Sequence, residues 1–423
     1  MNKKIVLVLL LGIVFTSSSQ AAGSPLTLKA AYELALKRSE DVAMTAEVIH
    51  EAEGHFYEAL DIVMPKVNFV MTHVDQDAPQ GGTSNESSNS NLTRRSTPQK
   101  RFTFSQPLFS GFKEFASLQG TGSEKNQRRF EWQRAKELLF VDVAESFYAL
   151  LEARREAEVL NAVHKALEDR VKELEGRVKL GRSRESEKET ALSELKVNEA
   201  DLIEAQDSEI ISKDLLEFYI GREIHEELLD EDIPNAPQGL GYYLPMADLR
   251  SDVLAEKEAY ALAETGVVAA QAGFLPTVKL DGNYYTQRVG TQSGIDWDVT
   301  LTMNVPVFDG TDTIGKVKVA AADREKERLN VSKKKRQAML DIQNAYQRFH
   351  SSSLKAAALK EAMEALKKNY EIQTQEYRSN LVNNLEVLDA LRRYEDIEVK
   401  SSSADMEARK NYWKLKVAAG ETL

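Results

Sequence analysis

Apolar and polar residues alternate without interruption over residues 295–305: Ile295, Trp297, Val299, Leu301, Met303 and Val305 interleave with Asp296, Asp298, Thr300, Thr302 and Asn304. A period of two is the signature of a β-strand with one apolar and one wet face, and a run of this length suffices to cross a bilayer. Its predicted partner spans 277–288, with Tyr284 and Tyr285 as interface aromatics. A second pair is predicted at 66–74 and 100–106, where Phe102 and Phe104 alternate with Arg101, Thr103 and Ser105. The intervening 75–99 segment is rich in Ser, Asn and Gly and reads as an exposed loop.

Elsewhere the period is helical. Between Phe112 and Leu180 there is no proline, and Leu160, His164, Leu167, Val171, Leu174 and Val178 recur at alternating four- and three-residue spacing, the seam of a coiled coil. At 1.5 Å per residue such a helix reaches about 100 Å. The design recurs over 316–379. Both stretches break at residues that tolerate left-handed backbone, Gly181 and Asn380, and new helical patterns follow over 185–220 and 385–419. Each break therefore reads as a tight helix–turn–helix tip. Asn383, three residues before Glu386, fits a variant of the capping box.

The two halves are copies. Asp41 answers Asp252 and Pro65 answers Pro276, each 211 positions on; Pro107 answers Pro306 and Gly181 answers Asn380, each 199 positions on. The first copy thus carries about a dozen extra residues between its strands. The division that follows is a leader at 1–22, a first repeat at 23–220, an inter-repeat segment at 221–244 and a second repeat at 245–423. The inter-repeat segment is expected to belt the middle of the helical body.

Four strands cannot close a barrel, since bacterial membrane barrels begin at about eight. An open sheet in lipid leaves backbone groups unpaired at both edges, which is prohibitively costly. Copies of the chain must therefore pool strands; two copies would supply eight and three would supply twelve.

Composition narrows the class further. Lys3 and Lys4 precede an apolar run over 5–15 and the small residues Ala21 and Ala22, the pattern of a secretory signal peptide. There is no cysteine, hence no disulfide, no thiolate metal site and no lipidated N-terminal cysteine. A formal charge of −12 argues against a nucleic-acid partner. No nucleophile, base and orienting acid stand out as a set, so the chain does not read as an enzyme, and no cofactor is implied.

The Leu26-Thr27-Leu28 opening with Ala35-Leu36, the Pro-x-Phe-x-Gly elements at 107–111 and 306–310, and Tyr377-x-x-Asn380 followed by Leu385-Glu386-Val387-Leu388-Asp389-Ala390 resemble outer-membrane efflux proteins of the TolC type. The resemblance implies mainly long α-helices with a smaller β part: a TolC-like α-helical barrel joined to a trimeric 12-stranded membrane β-barrel, with four strands per chain. It implies a homotrimer in the outer membrane of a Gram-negative bacterium, with a periplasmic extension. It further implies docking to a periplasmic adaptor (membrane fusion protein) and to an inner-membrane pump of RND, ABC or MFS type, serving efflux or type I secretion. In this family polar links and rings of carboxylates close the tip. Position by position, Tyr377 matches the linking tyrosine, Glu187 its acceptor, and Glu386 and Asp389 the ring acids. Val382 stands where some members place a linking arginine; Arg378, Arg182 and Arg184 are the nearby substitutes. Three chains would set three copies of Glu386 and Asp389 around one axis and favour cations.

Other patterns carry less. His50 and His55 are five residues apart and diverge on a helix, unlike the four-residue spacing of a zinc motif. Asn85-Glu86-Ser87 and Asn91-Leu92-Thr93 fit a glycosylation pattern in a segment whose composition produces it by chance. Gly239-Leu240-Gly241 reads as a loop, and the mixed charges over 323–336 read as a solvated helix face. The competing class is a structural or adhesive trimeric coiled-coil outer-membrane protein. Such proteins place their strands together at the C-terminus, whereas here they are split between two copies and the C-terminus is helical. A periplasmic adaptor also has helical hairpins, but lacks amphipathic strands of membrane length.

Overall fold

A computed structural model describes residues 25–77, 96–230, 238–290, 292–379 and 381–421. The leader, most of the 75–99 segment with both glycosylation-like motifs, residues 231–237 of the inter-repeat segment, and Asn380 lie outside the described residues.

The chain opens with a two-residue strand β1 (Leu26–Thr27) and runs into α1 (Leu28–Arg38) and α2 (Glu40–Leu60). Thr27 accepts a hydrogen bond from the Ala30 amide at 3.2 Å and Ser39 one from the Val42 amide at 3.3 Å, so a hydroxyl starts each helix. Strands β2 (Lys66–Asp75) and β3 (Ser96–Ser110) follow, then the 67-residue α3 (Lys113–Lys179) and its return helix α4 (Glu185–Ile220). The turn after α3 uses Gly181 at φ +67°, where a side chain would be strained. A short strand β4 (Leu228–Leu229), α5 (Leu240–Tyr243) and a 3₁₀ turn (Leu244–Leu249) cross to the second half. There α6 (Ser251–Gln271), β5 (Thr277–Gln287), β6 (Trp297–Asn304), α7 (Asp312–Arg378) and α8 (Asn384–Ala418) complete the chain.

The same offsets relate the elements. Helix α2 maps onto α6 at both ends by 211 positions, and α3 onto α7 at both ends by 199, so the two long helices have equal length, about 100 Å each.

One antiparallel sheet holds the four long strands in the order β2-β3-β5-β6. The helices keep that order: α3 packs against both α2 and α6, and α6 against α7. Buried side chains sit at repeat-equivalent positions in two clusters. Val42, Val143, Leu150 and Leu216 lie in the first; Val253, Ile342, Phe349 and Leu415 lie in the second. Aromatics lock the first cluster to the C-terminal helix: the Phe140 ring meets Tyr32 at 5.1 Å and Trp413 at 5.4 Å, and the Trp413 indole donates to the Tyr148 hydroxyl at 3.1 Å. Toward the tip, Leu167 and Leu174 of the predicted seam are buried with Ala191, Leu388 and Leu391, while His164, Val171 and Val178 are half-buried.

Two strand limits differ from the sequence reading. Strand β3 begins at Ser96 and ends at Ser110, beyond the expected 100–106, and contains Pro98 and Pro107. Proline removes a ladder donor, so it is excluded from fully paired strands and tolerated at edges and bulges. Pro98 lies past the last β3–β5 pair, Lys100 with Gln287, where β3 has a partner on one side only; Pro107 lies at a register shift between Pro107 and Phe109. Conversely β6 starts at Trp297 and stops at Asn304, shorter at both ends than the alternation.

Candidate functional site

The sheet has two chemically distinct faces. Register places Val67, Phe69 and Met71 of β2, Phe104 and Phe102 of β3, Leu280 and Tyr284 of β5, and Trp297, Leu301 and Met303 of β6 on one side. The other side carries Asn68, Thr103, Arg101, Asp281, Asn283, Asp298 and Thr300. There Asn283 Nδ2 donates to Asp298 Oδ1 at 2.7 Å, and Lys279 pairs with Asp281 at 2.9 Å. Successive strand residues point to opposite faces, so only Tyr284 joins the apolar side. Tyr285 is buried on the polar side, with the Arg288 guanidinium 4.1 Å from its ring centroid. Both outer strands, β2 and β6, have one neighbour each in the sheet.

At the far end, the described residues of the tip fall into three groups. Tyr377, in the last turn of α7, is buried, with Arg170 4.1 Å and Arg177 4.5 Å from its ring centroid. Both arginines belong to α3, two turns apart on one face, so α7 is clamped to α3 through one ring. Burial pushes the Tyr377 hydroxyl above its ordinary pKa; Arg177 and Arg170 oppose this, and Glu173 and Glu187 add to it. Glu187, in the first turn of α4, accepts a hydrogen bond from Ser183 Oγ. Glu386 forms the expected box: its amide donates to Asn383 Oδ1 at 3.0 Å while Asn383 Nδ2 donates to its carboxylate at 3.2 Å. Asp389 pairs with Arg393 at 2.9 Å one turn along α8, and both Glu386 and Asp389 are exposed. Arg378 is exposed beside Tyr377. The structure therefore places Tyr377 within the electrostatic reach of Glu187, whose hydrogen-bond partner is Ser183, and leaves Glu386 and Asp389 exposed.

Sequence reasoning missed Arg170 and Arg177. Their seven-residue spacing, which aligns two cations along one face, was the available signal.

At the end of the seam away from the tip lies a third feature. Asn198 of α4, 3% exposed, joins three helices: its Nδ2 donates to Leu160 O of α3 at 3.4 Å and to Glu395 Oε1 of α8 at 3.2 Å, and its Oδ1 lies 3.2 Å from His164 Nδ1. Burial raises the Glu395 pKa; the bond from Asn198 opposes this, and Asp201 and Glu194 reinforce it. His50 and His55 serve different partners, Glu53 at 3.1 Å and Glu124 at 3.0 Å. Among the described residues no cluster of His, Asp and Glu could hold a metal ion, and no helix is long and apolar enough to cross a membrane.

Residues 246–421 match the family model of the outer membrane efflux proteins. No curated protein matches the chain. Among solved structures, VceC, an outer membrane protein of Vibrio cholerae, is 19% identical with a TM-score of 0.78, the match covering 93% of this chain and 96% of that one. The CmeC outer membrane channel of Campylobacter jejuni is 15% identical with a TM-score of 0.76, covering 96% and 90%. The MtrE outer membrane channel of Neisseria gonorrhoeae, in its open state, is 19% identical with a TM-score of 0.74, covering 93% and 89%. The family match lies in the second half of the chain, and the fold along its whole length is that of the TolC-type outer-membrane channels, as the sequence resemblance implied.

Proposed function

We propose that three copies of this chain close a twelve-stranded barrel in the outer membrane of a Gram-negative bacterium and continue as a helical tunnel into the periplasm. The assembly is the exit duct of a tripartite efflux or type I secretion system. A periplasmic adaptor and an inner-membrane pump of RND, ABC or MFS type supply the substrate and the energy, and the chain itself performs no chemistry. One observation carries this reading: a four-stranded sheet with an apolar face and two edges lacking a neighbour stands on helices about 100 Å long. A lone protomer cannot satisfy that backbone in lipid, and a chain built only for adhesion has no need of a polar inner face lined by Arg101, Asp281 and Asp298.

The tip is proposed as the gate. Tyr377 and Glu187 hold the closed form beside Arg170 and Arg177, with Arg378 as an outward-facing cation, while Glu386 and Asp389 ring the constriction. Residues 23–220 and 245–423 are taken as the two structural repeats, and 221–244 as the belt between them.

Mature protein purified in detergent, sized by light scattering and added to planar lipid bilayers, tests the reading. A trimer that inserts and conducts is expected. A water-soluble monomer that never enters lipid would end it.

A further inference from the structure

At the helical end of the sheet lies a cleft of about 360 Å³, lined by Ile62 and Val63 after α2, Leu108 and Phe109 of β3, and Phe115 of α3. Register sets the face on which it opens: Gln106 pairs with Leu280, and Phe109 with Val278, which is itself opposite Met303, so both lie on the apolar side. Gln106 also lines the cleft, and its Nε2 donates to Val63 O and to Pro107 O at 2.8 Å each. The remaining polar group is Glu114, in the first turn of α3 and 7% exposed. Its Oε1 accepts from the Ser110 amide at 3.3 Å, but its Oε2 is shielded from water and has no hydrogen-bond partner. Leaving a buried carboxylate oxygen unpaired is costly.

The second copy shows the same junction with every such group satisfied. At the equivalent positions, 199 residues on, Thr313 replaces Glu114 and Asp309 replaces Ser110. There Asp309 Oδ2 accepts from the Thr313 amide at 3.2 Å and from the Thr313 hydroxyl. In the first copy acid and hydroxyl have changed places, and the acid, now on the helix, keeps one oxygen without a donor.

Two further differences flank Glu114. Phe112 is, among the described residues, the one non-glycine at positive φ, at +69°, whereas its counterpart Thr311 sits at −131°. A strained backbone persists only where its surroundings hold it. Here it stands a phenyl ring 53% exposed, 5.1 Å from the Phe109 ring and 6.3 Å from that of Phe115. Lys113 is exposed and forms no ion pair among the described residues, whereas its counterpart Asp312 pairs with Lys316.

We infer that this cleft binds an inner-leaflet phospholipid with an ammonium headgroup, of the phosphatidylethanolamine class: Glu114 accepts from the ammonium, Lys113 meets the phosphate, and Phe109, Phe112 and Phe115 lie along the acyl chains. The inference rests on the membrane reading above, in which strands give way to helices at the periplasmic surface of the outer membrane, and it adds a ligand to that surface. An ammonium is all donor and carries the charge that a carboxylate attracts. The terminal torsion of glutamate is broad, so the carboxyl turns readily toward an incoming donor. A divalent metal ion fits less well, since it takes roughly six or more oxygen ligands, and Val63 O and Pro107 O already accept from Gln106. An anionic headgroup would bring like charge to Glu114. Exposed aromatics belong at the boundary between lipid and water, which is where this row falls.

Mature trimer, stripped of lipid by prolonged washing in detergent, is titrated with phosphatidylethanolamine, phosphatidylcholine or phosphatidylglycerol of matched acyl chains, and bound lipids are counted by native mass spectrometry. One phosphatidylethanolamine per chain is expected, held about tenfold more tightly than phosphatidylglycerol, as one charge-assisted hydrogen bond allows. Phosphatidylcholine, whose quaternary nitrogen has no N–H to donate, is expected to bind more weakly than phosphatidylethanolamine. Glu114→Gln should lose about tenfold in affinity for phosphatidylethanolamine. Lys113→Ala removes an exposed side chain, so its trimer should assemble normally and still bind phosphatidylethanolamine less tightly; it carries the test where Glu114→Gln does not assemble. Asp312→Ala, at the equivalent place in the second copy, should bind as the parent does. A trimer that conducts but binds the three lipids equally, keeps full phosphatidylethanolamine affinity in Glu114→Gln or Lys113→Ala, or loses that lipid on addition of a metal chelator overturns the site and leaves the channel reading intact. A monomer that never enters lipid removes both.

Discussion

Arg250, 2% exposed, reaches from the start of α6 to Asp341 of α7 at 3.0 Å while its fork also grips Asp252 at 2.6 and 2.7 Å. Beside it Ser251 donates to the buried Glu137, which holds Arg134, so the cluster joins α3, α6 and α7. Removing one partner of a buried ion pair strands the other, at a cost of about 3 kcal/mol or more. Arg250→Met is therefore expected to destabilise the protein by roughly that amount at neutral pH. Burial pushes the Asp252 carboxyl up, but Arg250 more than reverses this and holds it below its ordinary 3.8. A lowered carboxylate pKa contributes stability above the ordinary value and loses it as pH falls through the lowered one. Unfolding measured against pH should show the difference between wild type and Arg250→Met shrinking below about 3.8; a constant gap would contradict this role.

Tyr377 is held by its ring. Each cation–π contact contributes about 0.5–1 kcal/mol, so in the proposed gate losing both would shift the closed-to-open equilibrium by roughly tenfold, while loss of the hydroxyl alone leaves them in place. Single-channel recordings are expected to show Tyr377→Phe close to wild type and Tyr377→Ala open far more often. Equal opening by both variants would move the latch from the ring to the hydroxyl.

Neutralising the exposed acids of the first turns of α8 probes the proposed constriction. Glu386→Gln with Asp389→Asn is expected to reduce the preference for cations over anions, read as a shift in reversal potential across a salt gradient. Unchanged selectivity would return both residues to the bland role of acids favoured by a helix N-terminus.

Long helices and alternating strands were legible because their signals are local. Helix ends at Gly181 and the Asn383–Glu386 box follow from residues three or four apart, and the second-copy strands were found to within two or three residues of their ends. Pro98 and Pro107 hid the ends of β3 because proline is tolerated only where a strand lacks a neighbour or bulges, and that depends on sheet order. The β3–β5 pairing and the clamp of Arg170 and Arg177 on Tyr377 join residues about 200 positions apart, so the local spacing that aligns the two arginines on one face does not name the partner of either contact.

Adjacent residues of β6 give a paired test of the sheet's two faces. Leu301 lies on the apolar side and Thr302 on the polar side. An arginine on a lipid-facing strand costs about 2–4 kcal/mol near the bilayer midplane, whereas one facing the lumen is tolerated. Leu301→Arg is expected to lower the yield of heat-resistant trimer in the outer membrane sharply, and Thr302→Arg to leave it near wild type. The reverse ranking would mean the faces are assigned the wrong way round.

Glu395 provides a pH dependence of opposite sign to that of Asp252. It packs beneath Asn198, faced by Glu194 and Asp201 from α4 and by Arg392 on its own helix, with His164 of α3 on the far side of the amide. Burial disfavours its charged form, so its folded pKa lies above the ordinary 4.5. For a raised carboxylate the native state binds the proton more tightly, so the contribution is fully present below 4.5 and is lost as pH rises through the raised value. The α4–α8 contact should thus be firmest in acid and loosen toward neutrality. Glu395→Gln keeps an acceptor for Asn198 without the charge, and is expected to flatten that dependence and raise stability at neutral pH. Hydrogen exchange of α4 and α8 amides between pH 4 and 8, corrected for intrinsic rates, checks it; protection that rises with pH in the wild type would exclude this account.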